Sequence, residues 1–204
     1  MARKSNNNKS RFVRKTRDRN FIRQLYIYTE GEITEKEYLI TVYNLLDKEY
    51  DCSKKFRISV KTSRGKSSPA NILKQIKQDE KDLEVGNSYE IWVLIDQDRW
   101  PAQQINALLK TVMGPNRHVL VSIPKFEIWL LLHFEKGTGI HSPMELDQAL
   151  DKYIRDYKKH VPDGVITLDK VREAISNSRL KVTNNAPSNT TVHLLIERML
   201  FLAV

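Results

Sequence analysis

Short apolar runs alternate along the chain with stretches whose apolar positions recur at helical spacing. Leu25, Tyr26, Ile27 and Tyr28 form the first run, and residues 56–62 alternate apolar and polar positions. Ile91, Trp92, Val93, Leu94 and Ile95 form a third run with no polar interruption, the composition of a strand buried on both faces. Residues 118–123 make the fourth. Between them the periodicity shifts from two towards 3.6. Thr34 and Glu37 have capping-box spacing, and Tyr38, Leu39, Val42, Tyr43, Leu45 and Leu46 then share one helical face to about residue 48. Pro69 opens a predicted helix to about residue 83. Pro101 opens another, with Ile105, Leu108, Leu109 and Val112 on its apolar face, and Gly114, Pro115 and Asn116 end it. Strands separated by crossover helices predict an α/β fold with a mainly parallel sheet of about four strands. Beyond Pro124 the pattern turns helical, with predicted helices over 126–134, 143–159, 168–179 and 190–203. The predicted organisation is an N-terminal arm (1–24), an α/β core (25–135) and a helical C-terminal extension packed on it (136–204).

Charge changes this picture at one end. The chain of 204 residues carries a formal net charge of +9. Residues 1–24 hold nine Lys or Arg against one acid, Asp18, so the arm accounts for +8 and the remainder is close to neutral. Such an arm suits sequence-independent contact with phosphate backbones through counterion release, or it serves only as a solubilising terminus. Elsewhere the composition is that of a globular domain. No run approaches the roughly 20 apolar residues of a membrane span, and no apolar leader follows the basic start. A lone Cys52 cannot form an internal disulfide, which places the expected home of the chain in a reducing cytoplasm.

The chemistry concentrates where the strands end. Groups at the carboxyl ends of parallel strands face the ligand crevice. Glu30 follows the first strand and precedes Gly31, while Asp96 and Asp98 follow the third. Side chains two apart on an extended chain share a side, so Asp96 and Asp98 can serve one cation. Carboxylates gathered in one crevice repel unless a divalent cation or a proton offsets them. Glu32 and Glu35 read as solvated or capping groups, with Glu32 the better placed to support the site. His133 sits in an apolar block and reads as a packed, hydrogen-bonded histidine. Arg64 and Lys66 flank Gly65, but the upstream glycine of a phosphate-binding loop is missing, so ATP binding by this chain is not expected. Trp92, Trp100 and Trp129 read as core or rim.

Three blocks carry a family resemblance. The segment from Tyr28 to Tyr38, with Glu30, Gly31, Thr34 and Glu35, resembles the EGxxTExxY signature of RloB-like proteins. Asp96 and Asp98 match their DxD strand end, and the segment from Ser122 to Phe134 resembles their SNPCFExWLLLHF block. Ile123 and Lys125 depart from it, standing where the family favours Asn and Cys. Asn189, Thr190, Thr191 and Val192 fit the family's C-terminal end weakly.

The resemblance implies a Toprim fold and metal-dependent phosphodiester chemistry in prokaryotic antiphage defence. Carried over to this chain, it implies Glu30 as general acid/base, Asp96 and Asp98 as metal ligands with Glu30 completing the shell, and Glu127 as a further ligand or orienting group. The implied cofactor is Mg²⁺ or Mn²⁺, and the implied partners are DNA or RNA, tRNA included, an ABC- or SMC-type ATPase, and a second copy of the chain. The alternative is a non-catalytic subunit that binds nucleic acid or the ATPase on the same scaffold.

Overall fold

The computed structural model of the chain describes residues 22–62, 68–82, 89–97, 100–112, 114–155 and 157–204. Asp98, Arg64, Lys66 and residues 1–21 of the basic arm lie outside the described residues. The parallel strands are β1 (Arg23–Thr29), β2 (Phe56–Thr62), β3 (Tyr89–Asp96) and β4 (Arg117–Ile123). A two-residue strand, β5 (Asn189–Thr190), adds antiparallel to β4, giving the order β2-β1-β3-β4-β5. The α-helices are α1 (Thr34–Tyr50), α2 (Pro69–Asp82), α3 (Ala102–Val112), α4 (Glu127–Leu131), α5 (Pro143–Asp151), α6 (Leu168–Thr183) and α7 (His193–Ala203). This is an α/β fold with a Rossmann-like core. No helix among the described residues is long and apolar enough to cross a membrane.

Strand alternation sorts the side chains between two cores. Leu25, Ile27, Trp92, Leu94 and Leu120 pack with α1 and α4–α7. Tyr28, Ile91, Val93 and Ile95 point the other way and pack with Ile72 and Ile76 of α2 and Ile105, Leu108 and Val112 of α3. Trp92 and Trp129 are buried and Trp100 is half-buried, as expected for core and rim positions.

Four expectations are corrected. The helix predicted over 143–159 stops at Asp151. Tyr153 instead stacks on Phe134 with ring centroids 4.9 Å apart, and Lys159 has φ +68°, which no right-handed helix contains. The block 126–134 forms only the short α4 and then turns. The helix predicted over 190–203 starts only at His193, and Thr190 is strand, because its Oγ1 meets Ser122 Oγ at 2.9 Å and the two segments pair. Thr34 and Glu37 do not form a capping box. Ile33 is the N-cap residue and makes no side-chain cap, while the Glu37 carboxylate accepts a hydrogen bond from Val161 N at 3.2 Å and pairs with His160.

At the sheet end opposite the acidic strand ends, one buried carboxylate ties three elements together. Glu90 of β3 is 3% exposed and accepts from Arg23 of β1 (2.8 Å), from Arg198 of α7 (2.6 Å) and from Trp92 Nε1 (3.2 Å). Burial alone would raise its pKa, but Arg198 and Arg23 outweigh it and hold the carboxyl below its ordinary value. The unfolded chain therefore binds the extra proton, and stability rises with pH through this window. Glu90→Gln is expected to cost about 1–3 kcal/mol at neutral pH, less than a fully buried pair because both guanidinium groups reach solvent. That contribution is complete above the unfolded value of about 4.3 and is lost as the pH falls through the lower folded value. Urea unfolding of both proteins between pH 2.5 and 7 checks it, since a gap that stays constant with pH would mean the charge contributes nothing.

Candidate functional site

The strand order places the site. The chain crosses from β1 to β2 on one side and returns over β1 to β3, so the order reverses between β1 and β3, which is where open α/β sheets hold their ligands. Thr29 pairs with Leu94 in register, so Glu30 emerges level with Ile95 and one residue before Asp96. The Asp96 backbone N–H donates to Glu30 Oε2 at 3.2 Å. Both residues line a cavity of about 320 Å³ with Glu32, Glu35, Lys125 and Glu127. Of the residues singled out from the sequence, Glu30, Asp96 and Glu127 thus come together.

Of the two readings given for Glu35, solvated or capping, the structure bears out the capping one. Glu35 is 5% exposed rather than solvated, because the turn at 30–33 enters α1 directly and folds the carboxylate back onto the Gly31 N–H, Oε1 to N 2.9 Å. A side chain on Gly31 would run into that carboxylate, which explains a glycine there. Burial pushes the Glu35 carboxyl up from its ordinary value, and the Glu127 and Glu30 charges push the same way against the Gly31 hydrogen bond. Glu32, the expected supporting group, is exposed on the cavity rim.

Two further residues enter from the segment after α5. The Tyr157 hydroxyl donates to Glu127 Oε1 at 3.2 Å and lies 2.9 Å from Thr34 Oγ1, which donates to the Lys159 carbonyl at 2.8 Å. Thr34 is therefore a tie between the first helix and the C-terminal extension. Burial and the adjacent Glu127 charge raise the Tyr157 pKa, so the hydroxyl stays a donor. The sequence signal for Tyr157 was hidden inside a helix that does not form. Lys125 salt-bridges Asp147 of α5 at 2.7 Å, at a position where the resembled block has Cys.

His133 is a packed residue, as expected. It is 1% exposed, its Nδ1 meets the Trp129 carbonyl at 2.9 Å and its Nε2 meets the Tyr38 hydroxyl at 3.1 Å. Burial lowers its pKa to about 4, so the ring is neutral; it then donates from Nδ1 and accepts from Tyr38. No three His, Cys, Asp or Glu residues among the described residues are gathered at metal-ligating geometry.

A buried carboxyl with a raised pKa makes a definite prediction about stability. The folded state holds the Glu35 proton to higher pH than the unfolded chain, so stability falls as the pH rises through that interval. Each pH unit separating the two values corresponds to about 1.4 kcal/mol. Glu35→Gln is accordingly expected to be more stable than the wild type at pH 7–8, with the difference vanishing below pH 4. Urea midpoints across that range decide the matter. A variant less stable than the wild type at every pH would mean the carboxylate is a net stabilising acceptor for Gly31.

Comparisons with known proteins identify a family for the chain. Searches of curated proteins and of solved structures found no match. The family model for RloB-like proteins matches residues 25–199, a span that runs from β1 into α7 and contains every residue of the crevice. The chain belongs to the RloB-like protein family.

Proposed function

We propose that this chain is a metal-dependent nuclease of the Toprim type, cleaving phosphodiester bonds of DNA or RNA in antiphage defence beside an ABC- or SMC-type ATPase. The observation that carries the reading is the meeting of Glu30 and Asp96 at the point of strand-order reversal, bridged by a hydrogen bond and flanked by Glu32, Glu35 and Glu127. The defence setting and the ATPase rest on the family resemblance alone.

The donor chemistry suits a hard divalent cation, since the acidic side chains offer only oxygen. Mg²⁺ is commonly held by one or two carboxylates, with waters and substrate phosphate completing its shell, so a preassembled three-carboxylate cluster is not required. Glu30 and Asp96 are such a pair, and Asp98 is the expected third ligand. When bound, the ion offsets phosphate charge and lowers the pKa of a bound water.

The protein's own groups supply the remainder. Glu30, ordered by the Asp96 N–H, takes the proton of the attacking water as its oxygen bonds to phosphorus. The leaving oxygen takes a proton from solvent as the P–O bond breaks, and Glu30 releases its own to solvent, so the step balances. Glu127, held by the Tyr157 hydroxyl, orients the far wall of the crevice. The basic arm raises the local concentration of the polyanion.

The test is cleavage of a panel of DNA and RNA, tRNA included, by purified protein with Mg²⁺ or Mn²⁺ and the ATPase present. Glu30→Gln and Asp96→Asn are each expected to lower the rate by about 100-fold or more with unchanged melting temperature. Cleavage that survives both substitutions would end the proposal. Metal-independent binding that is unchanged by Asp96→Ala and lost on removing residues 1–24 would establish the non-catalytic alternative.

A further inference from the structure

A second cavity, of about 440 Å³, lies between the loop after α4 and the C-terminal end of α6. It shares no lining residue with the carboxylate crevice. At its wall stands Lys181, 9% exposed. The ammonium donates to the Gly137 carbonyl at 2.8 Å and to Ser188 Oγ at 3.1 Å, two neutral acceptors for three N–H donors. Among the described residues no carboxylate pairs with it. Burial lowers its pKa, with no neighbouring negative charge to oppose the fall.

Burying a cation without a counter-charge is expensive, and proteins ordinarily pair such groups. Here the backbone is shaped around the lysine instead. Gly137, at φ +58°, passes so close that a Cβ would stand 3.3 Å from Lys181 Cε. The cavity adds Lys136, His141 and the Thr138 hydroxyl, and neither Asp nor Glu lines it. Ile140, Leu180 and Pro187 supply apolar wall, and the volume falls in the range of small-molecule sites.

We propose that this cavity binds a small organic oxyanion, a phosphate or carboxylate group carried on an apolar or aromatic body, with the anionic oxygen accepting from Lys181. The oxyanion supplies the missing acceptor and the missing negative charge together, while the body lies along Ile140 and Pro187. The site is independent of the nuclease reading, because none of its residues belongs to the crevice.

The experiment is calorimetric titration of the full chain at pH 7 with phenyl phosphate, benzoate, inorganic phosphate and neutral phenol. Phenyl phosphate or benzoate is expected to bind, and which of the two is tighter identifies the anionic group. Inorganic phosphate, lacking the body, and phenol, lacking the charge, are expected to bind about tenfold more weakly or worse. Leu180→Glu places a carboxylate at the half-exposed mouth without touching the buried lysine, and Lys181→Met removes the charge. Each is expected to weaken binding by about tenfold or more, and Leu180→Glu alone decides the matter if Lys181→Met fails to fold. Binding that is equal in the wild type and Leu180→Glu overturns the proposal, since it then arises elsewhere, for instance on the basic arm. The absence of any probe binding tighter than about 10 mM overturns it as well.

Discussion

The register of β1 on β3 is the constraint from which the site follows. With Thr29 opposite Leu94, Glu30 leaves β1 level with Ile95, one residue short of Asp96, and the Asp96 N–H reaches the Glu30 carboxylate. A slip by one residue would reverse which core each β1 side chain enters. It would send Leu25 and Ile27 towards α2 and α3, and Tyr26 and Tyr28 towards α1. Tyr28 would then lose the hydrogen bond that its hydroxyl donates to Asp79 of α2 at 2.9 Å and enter an apolar core. Placement of two acids is thus enforced by some dozens of apolar atoms that take no part in chemistry.

Crowding carboxyl groups at one strand end creates a second requirement, which is to hold them without letting them repel the turn open. Each is given a different partner. Glu30 accepts from the Asp96 amide, Glu35 from the Gly31 amide, and Glu127 from the Tyr157 hydroxyl. The EGxxTExxY signature becomes physically intelligible on this basis. Its glycine leaves room for the Glu35 carboxylate, and its threonine bonds the Lys159 carbonyl. The final tyrosine donates to a neutral His133 inside the core. On the proposed reading, only Glu30 of that set needs to touch a substrate. The others keep the acid where it is, and a tie from Thr34 to a segment 125 residues later makes the C-terminal extension part of the site.

How much was legible in the sequence depends on the range of the interaction. Strand ends at Glu30 and Asp96 could be read because short bulky runs report burial, and burial of a strand predicts where its end emerges. His133 could be read because an isolated polar residue among apolar ones must find partners inside. The burial of Glu35 and the place of Tyr157 could not, although a capping role for Glu35 was readable. The first depends on a helix entered without a side-chain cap, so that the carboxylate turns backward instead of outward. The second depends on Tyr153 leaving helical register to stack on Phe134, a contact with no trace in periodicity. Glu90 was hidden for a similar reason, since its two arginines come from β1 and α7.

The two faces of the sheet also divide the work of stability unequally. The face shared by α1 and α4–α7 carries the larger core, and Gly31, Glu35, Glu127 and Tyr157 all hang from elements on that side. The opposite face is covered by α2 and α3 alone, and α3 contributes little more than Ile105, Leu108 and Val112. Asp96 has the parity of Trp92 and Leu94, so it belongs to the deeper-core face, and only the chain beyond it leads towards α3. Regions with few buried apolar contacts open at lower free energy than the global transition. On the proposed reading, any repositioning as a polyanion enters the crevice therefore costs least towards α2 and α3, while the elements that carry Glu35 and Glu127 remain fixed by the deeper core.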